Sequence, residues 1–291
     1  MLNEADLDEL RDIAINAGLT AAGVIMAGRG HHGTVESKAG ASSAAMEVVT
    51  EVDRRSQAVI LEVLEESQFR YGLGLLAEEN AEDGSRLIAD AFWCVDPLDG
   101  TLPFVEGRAG FAVSIALVSR EAEPLIGVAV DPISGTVYHA RRGGGAWRDG
   151  DPFTIAEPSD RLHFCTDKSF MAHPNYAAVV AALDEIAADC GYAGVDNCSS
   201  AGAVLHAMWT IERAPGVYFK FPKADRGGGA LWDYSATSCI YKELGAPHGD
   251  IRGKPLPLNR PDGHYMNPYG ICYASDPALA QQVYRLFERL G

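Results

Sequence analysis

Cations are scarce in this chain: 24 Lys plus Arg stand against 40 Asp plus Glu, giving a formal net charge of −16 and a pI near 4.8. A broad basic surface is therefore missing, which excludes nucleic-acid polymers and anionic membranes as partners held by general electrostatics. The six cysteines, Cys94, Cys165, Cys190, Cys198, Cys239 and Cys272, are scattered without framework spacing, so a reducing cytoplasm is expected rather than a disulfide scaffold. Cysteine and histidine nowhere fall at zinc-binding spacing. No apolar run approaches the length of a membrane span, and the start Met1-Leu2-Asn3-Glu4-Ala5-Asp6 is acidic, without the layout of a signal peptide. Internal repeats and low-complexity tracts are lacking too. What remains is a chain of 291 residues with 47% hydrophobic content, enough to bury a sizeable core as one large or two closely packed domains.

Helical spacing of apolar residues marks Leu7 to Met26 and again residues 50 to 66, where Thr50-Glu51-Val52-Asp53 has the spacing of a capping box opening a helix over Arg54 to Glu66. Strands are expected at Leu73 to Ala77, Ala91 to Val95, Phe111 to Val118, Leu125 to Val130 and Thr136 to Ala140. Arg142-Gly143-Gly144-Gly145-Ala146-Trp147 lacks the lysine spacing of a phosphate loop, lies between strands and reads as a hairpin turn. From Leu162 the pattern becomes α/β: helices over Asn175 to Cys190 and Ala201 to Arg213, a strand over Val217 to Phe221, a helix over Tyr234 to Leu244 closed by Gly245, and a last helix from Pro277. A composition shift at Glu157-Pro158-Ser159-Asp160 divides an α+β half, residues 1–160, from an α/β half, residues 161–291.

The most informative segment is Trp93-Cys94-Val95-Asp96-Pro97-Leu98-Asp99-Gly100-Thr101. An aromatic and β-branched run is stopped by Asp-Pro and Asp-Gly, so two carboxylates project from a strand's carboxyl end, where open α/β sheets collect ligands. Gly100 and Thr101 follow with backbone N–H groups able to face an anion. Turn chemistry alone would also select Asp-Pro and Asp-Gly. Two further acidic segments bear on that choice: Glu78-Glu79 at the end of the strand before it, and Asp233 where Gly227-Gly228-Gly229 meets a helix, a place that also suits an ordinary N-cap. If Glu79, Asp96, Asp99 and Asp233 converge, neighbouring anions about 4 Å apart repel by roughly 4 kcal/mol at an effective dielectric near 20. Such a cluster needs cations, and an all-oxygen donor set favours Mg²⁺ or Mn²⁺ over Zn²⁺.

The Glu-Glu pair, W-x-x-D-P-x-D-G-T and a late W-D together resemble the inositol monophosphatase superfamily of Mg²⁺-dependent phosphomonoesterases, from Lys38 to about Ser275. The resemblance implies the layered αβαβα sandwich shared with fructose-1,6-bisphosphatases, often dimeric. It further implies that Glu79, Asp96, the Leu98 carbonyl, Asp99 and Asp233 hold two or three Mg²⁺ ions. The attacking water would be oriented by Thr101 and by Asp53 of Val49-Thr50-Glu51-Val52-Asp53, with Glu78 as a further catalytic candidate. Lys38 would lie near a third metal. Gly100, Thr101, Ala201, Gly202 and Ala203 would face the substrate, a small phosphorylated metabolite.

Departures from the family pattern concern specificity. Pro103 replaces the asparagine of D-G-T-x-N-F, Ala77-Glu78-Glu79 replaces G-E-E, Glu47 stands where an aspartate is frequent, and Ala201-Gly202-Ala203-Val204 lacks the hydroxyl of G-S-A-A. Lys220 replaces an acid that in short inositol monophosphatases faces sugar hydroxyls. With Lys223 and Arg226 it suggests a second phosphate, which tilts the reading to a 3′(2′),5′-bisphosphate nucleotidase acting on 3′-phosphoadenosine 5′-phosphate. An inositol or sugar monophosphatase, including fructose-1,6-bisphosphatase-like activity, is the alternative, and a non-catalytic phosphometabolite-binding homologue a further one.

Overall fold

The computed structural model describes residues 2–29, 41–224 and 229–291, with residues 41–50 described in their backbone alone. Helix α1 (Glu4–Gly28) opens on a capping box in which the Asn3 side chain accepts from Asp6 N–H at 3.0 Å and the Asp6 carboxylate accepts from Asn3 N–H at 2.9 Å. By length and composition α1 can cross a membrane, which corrects the expectation that no run approaches a span. Its apolar stripe, Leu7, Leu10, Ala14, Ala17, Ala21 and Ile25, is instead buried in the protein's own core. Helix α2 runs unbroken over Ala41–Tyr71, so the expected helix start at Thr50 does not exist and Asp53 lies inside a helix. The side chains of Glu47 and Thr50 lie outside the described residues.

A seven-stranded sheet follows in chain order: β1 (Gly74–Ala77), β2 (Ala91–Asp99), β3 (Ala112–Ser119), β4 (Pro124–Val130), β5 (Val137–Arg141), β6 (Ala146–Arg148) and β7 (Asp151–Pro152). In this sheet only the β1–β2 pair is parallel; the rest is an antiparallel meander, and residues 142–145 form the hairpin turn read from the sequence, with Ala146 and Trp147 already in β6. The short helix α3 (Thr101–Val105) leaves β2. The second sheet has the order β11-β12-β10-β8-β9, from β8 (Leu162–Cys165), β9 (Val195–Cys198), β10 (Gly216–Lys220), β11 (His248–Gly249) and β12 (Ile271–Ala274). Its helices are α4 (Lys168–Met171), α5 (Tyr176–Asp189), α6 (Ala203–Glu212), α7 (Leu231–Leu244) and α8 (Pro277–Leu290). Helix α6 starts two residues later than expected, with Gly202 as its N-cap.

The central strands read as unbroken apolar runs because both their faces are covered. On β2, Trp93 and Val95 pack with α1 and α2, whereas Phe92 and Cys94 pack with α6 and α7. The second sheet repeats this: Tyr218 and Tyr273 join α6 and α7, while Phe219 and Cys272 face Val179 and Leu183 of α5 and Val283 and Leu286 of α8. The layers are thus α1/α2, sheet, α6/α7, sheet, α5/α8, the αβαβα sandwich that the resemblance implies.

Candidate active site

Strand β2 continues through Asp96-Pro97-Leu98 to Asp99 rather than stopping at Asp96. In a regular strand, residues three apart point to opposite faces. A register irregularity between Asp96 and Asp99 breaks that parity. Pro97 offers no donor, and the Asp96 carboxylate accepts from Leu98 N–H at 2.9 Å, which turns the backbone locally. Both carboxylates are buried, at 1% and 5% exposure.

Helix α2 fixes the two acidic segments to each other. Ser56 Oγ donates to the Pro97 carbonyl at 2.9 Å, and Gln57 Oε1 accepts from Glu79 N–H at 2.9 Å. These residues lie one turn beyond Asp53, on the same buried face of the helix.

The other half of the site comes from α6 and α7. The Asp99 carboxylate accepts from Ala203 N–H at 3.0 Å and Val204 N–H at 2.8 Å, which satisfies the open amino end of α6 and places a negative charge where the helix dipole favours one. Gly202 N–H donates to the Gly110 carbonyl at 2.8 Å, and a Cβ at Gly202 would collide with the Asp99 carboxylate. Gly202→Ala is accordingly expected to destabilise the fold by about 1–3 kcal/mol and to weaken any metal stabilisation. Thermal unfolding with and without Mg²⁺ reads both, and a melting curve unchanged in either condition would refute the contact. Asp233 is not the N-cap of α7 but its third residue, and its carboxylate accepts from the Ala230 N–H. Ser114 Oγ on β3 donates to the Trp232 carbonyl at 2.9 Å and pins this first turn.

One carboxylate oxygen from each of Asp96, Asp99 and Asp233 lies within 4.8 Å of the others. Burial above all holds Asp96 and Asp99 well above the ordinary carboxylate range; Glu78, Asp233 and Asp99 add to it at Asp96, and Asp233 and Glu78 at Asp99, where the Val204 and Ala203 N–H groups oppose. Asp233 is raised by burial, with Ala230 N–H and Lys220 opposing. Glu78 is pushed up to about 7 by desolvation and then Asp233, with a hydrogen bond to Asp96 opposing. Asp53 is pushed up to about 8 by burial, then by Glu79 and Glu78. After burial, the largest influences on Asp96 are all acidic: Glu78, Asp233 and Asp99. Oxygen donors that resist ionising together fit a hard divalent cation, whose binding releases their protons.

Glu78 and Glu79 are both exposed and both act on Asp53, Glu79 the more strongly, but Glu78 is the member of the pair hydrogen-bonded to Asp96. Thr101 Oγ1 lies 3.4 Å from the Leu98 carbonyl, so these two expected groups are neighbours. Gly100, Ala201, Gly202 and Ala203 line a cavity of about 300 Å³ together with Asp99 and Asp233. Lys220 reaches the same cavity, but the residue is 7% exposed and its ammonium is paired with Asp167 at 2.7 Å. Lys223 lines a neighbouring cavity. Lys38 and Arg226 lie outside the described residues. Sequence reasoning passed over Ser56, Gln57, Asp167, Arg108 and Lys168; only the first two carried a signal, their i+3 and i+4 spacing from Asp53.

A profile of the inositol monophosphatase family matches residues 6–290, nearly the whole chain and every acidic segment just described. The chain belongs to the inositol monophosphatase family. It is 30% identical over 217 residues to an inositol-1-monophosphatase of Rhizobium meliloti, covering 72% of this chain and 74% of that protein. A fructose-1,6-bisphosphatase/inositol-1-monophosphatase of Thermotoga maritima is 32% identical over 219 residues, covering 72% and 73%. The Nus factor SuhB of Pasteurella multocida is 27% identical over 286 residues, 95% of each chain. The inositol monophosphatase structure from Anabaena shares the fold at a TM-score of 0.70, with 23% identity over 98% of both chains. As a member of the inositol monophosphatase family the chain is a phosphatase, of a class that uses metal and acts on small phosphorylated substrates.

Proposed function

We propose that the protein is a Mg²⁺-dependent phosphomonoesterase for a small polyhydroxylated phosphate ester. The observation that carries this reading is the convergence of Asp96, Asp99 and Asp233 on a cavity of about 300 Å³, at the lower end of ligand-site volumes. Asp96, the Leu98 carbonyl, Asp99, Asp233 and one or both of Glu78 and Glu79 would hold the cations. When bound, Mg²⁺ would supply positive charge to the phosphoryl oxygens and make water more acidic. Asp53 and Thr101 would orient that water, and Asp53, whose carboxyl is pushed up to about 8 by burial and then by Glu79 and Glu78 before any cation binds, would exchange its proton. Gly100 and the loop 201–203 would hold the phosphate. Residues 1–160 and 161–291 would serve as two interdependent units. A homodimer is proposed with this, testable by sedimentation, and the free thiols support a cytoplasmic setting.

A second reading has its own observation. A cavity of about 240 Å³ shares Ser169 and Lys220 with the first and is walled by Phe170, His173 and Phe221, which suits a planar ring and supports the bisphosphate nucleotidase reading. Phosphate release from inositol 1-phosphate, fructose 1,6-bisphosphate and 3′-phosphoadenosine 5′-phosphate, with Mg²⁺ and with chelator, tests both. Chelator-sensitive turnover is expected. None on any ester would overturn the proposal, and a preference for the nucleotide would select the second reading.

A further inference from the structure

The catalytic cavity gathers cations in a chain that has few. Arg108, Lys168 and Lys220 line it, together with the acids Asp99, Asp167 and Asp233. Asp99 and Asp233 belong to the metal cluster, and Asp167 is matched to Lys220 at 2.7 Å. Arg108 and Lys168 are left with one carboxylate between them. Glu106 receives Arg108 Nε at 2.8 Å and Lys168 Nζ at 3.2 Å, so two positive head groups share one negative one and a net positive charge stands at the cavity wall. The two cations come from opposite halves of the chain: Arg108 follows α3, and Lys168 opens α4. Arg108 also reaches the Ser200 carbonyl at 3.4 Å, beside the loop that leads to Gly202.

All three side chains are well exposed, at 40% for Arg108, 52% for Lys168 and 36% for Glu106. Solvent-exposed pairs of this kind are held weakly. An entering anion with more charge than one carboxylate, and with oxygens set for the guanidinium fork, competes with Glu106 on favourable terms. Both cations pair with Glu106 rather than with Asp96, Asp99 or Asp233, so they stand apart from the acids that would hold the metal and are left for a second anionic group.

We propose that Arg108 and Lys168 receive a second anionic group carried by the leaving group of the substrate, and that Glu106 occupies this receptor until the substrate displaces it. The inference rests on the phosphatase reading and narrows its substrate to esters that carry a second phosphate or a similar anion. Lys220, suggested by the sequence for this role, is committed to Asp167.

The test uses two substrate pairs that differ only in a second phosphate: adenosine 3′,5′-bisphosphate against adenosine 3′-phosphate, and fructose 1,6-bisphosphate against fructose 1-phosphate. The readout is the ratio of kcat/KM within each pair, which a general loss of folding or of metal leaves unmoved. Arg108→Gln and Lys168→Gln are each expected to lower the ratio about tenfold in at least one pair, the worth of one charge-assisted hydrogen bond. Glu106→Gln, which removes the competitor, is expected to raise it. Ratios unmoved by all three variants, or lowered by Glu106→Gln, would overturn the proposal. If Arg108→Gln does not fold, the other two decide. Turnover by the unaltered protein with unmoved ratios removes this inference alone; no chelator-sensitive turnover of any of the four esters removes the phosphatase reading with it.

Discussion

Asp96→Asn is expected to lower phosphate release by at least 10²–10³-fold, the order lost when one preorganised electrostatic group is removed from an active site. The same change is expected to leave the metal-free protein as stable as before or more so, because it removes a buried carboxyl held well above its ordinary pKa by burial and by Glu78, Asp233 and Asp99. Asparagine keeps the Oδ1 acceptor for the Leu98 N–H, so the turn at Pro97 survives. The two effects separate on adding metal. Unaltered protein should gain about 2.7 kcal/mol at a Mg²⁺ concentration 100 times its dissociation constant. The variant should gain far less. Urea unfolding with Mg²⁺ or chelator, alongside the phosphate assay, reads all of this; undiminished turnover, or an equal Mg²⁺ gain in both proteins, would remove Asp96 from the metal site.

The second large effect is on stability. Lys220→Met leaves the Asp167 carboxylate, 26% exposed, without its lysine, and breaking one side of a fully buried pair costs roughly 3–5 kcal/mol. The lower end is expected, since Asp167 also receives Ser169 Oγ at 2.7 Å and Phe170 N–H at 2.9 Å. Adding Asp167→Leu should recover most of the loss, because the charge left stranded is then gone. The pH dependence follows from Asp167: burial raises its carboxyl, but Lys220 and these hydrogen bonds outweigh burial and hold it at about 2, against 3.8 in the unfolded chain. The unfolded state therefore takes up the proton first. The contribution, about 2 kcal/mol, is complete above about pH 4 and disappears as the pH falls toward 2. Urea midpoints at pH 5 and pH 3 should diverge in the unaltered protein more than in the double variant. Equal acid sensitivity would show that the pair does not stabilise the fold.

The sequence made the strands legible because covered sheets leave long apolar runs, the sandwich through the family resemblance, and the acidic cluster through Asp-Pro-x-Asp-Gly, a dense local pattern. What it hid was parity and partnership. Glu78 and Glu79 follow a strand end, where a shift of one residue exchanges the inward and outward side chain, and no spacing rule says which faces Asp96. Thr50 to Asp53 has the composition of a helix start, yet the helix had already begun at Ala41. Asp233 stands where N-caps stand, and only the backbone at Ala230 decides that it sits one turn inside. Lys220 read as a free cation because its partner, Asp167, lies 53 residues earlier on a different element.

Helices α6 and α7 belong to both sheets at once, and between them they carry Asp233 and the amide groups that hold Asp99. The acids of the first half therefore come into register only after a segment more than a hundred residues downstream has been inserted beside them. During refolding, secondary structure should recover before the capacity to bind Mg²⁺ does, and catalysis should be the last property regained.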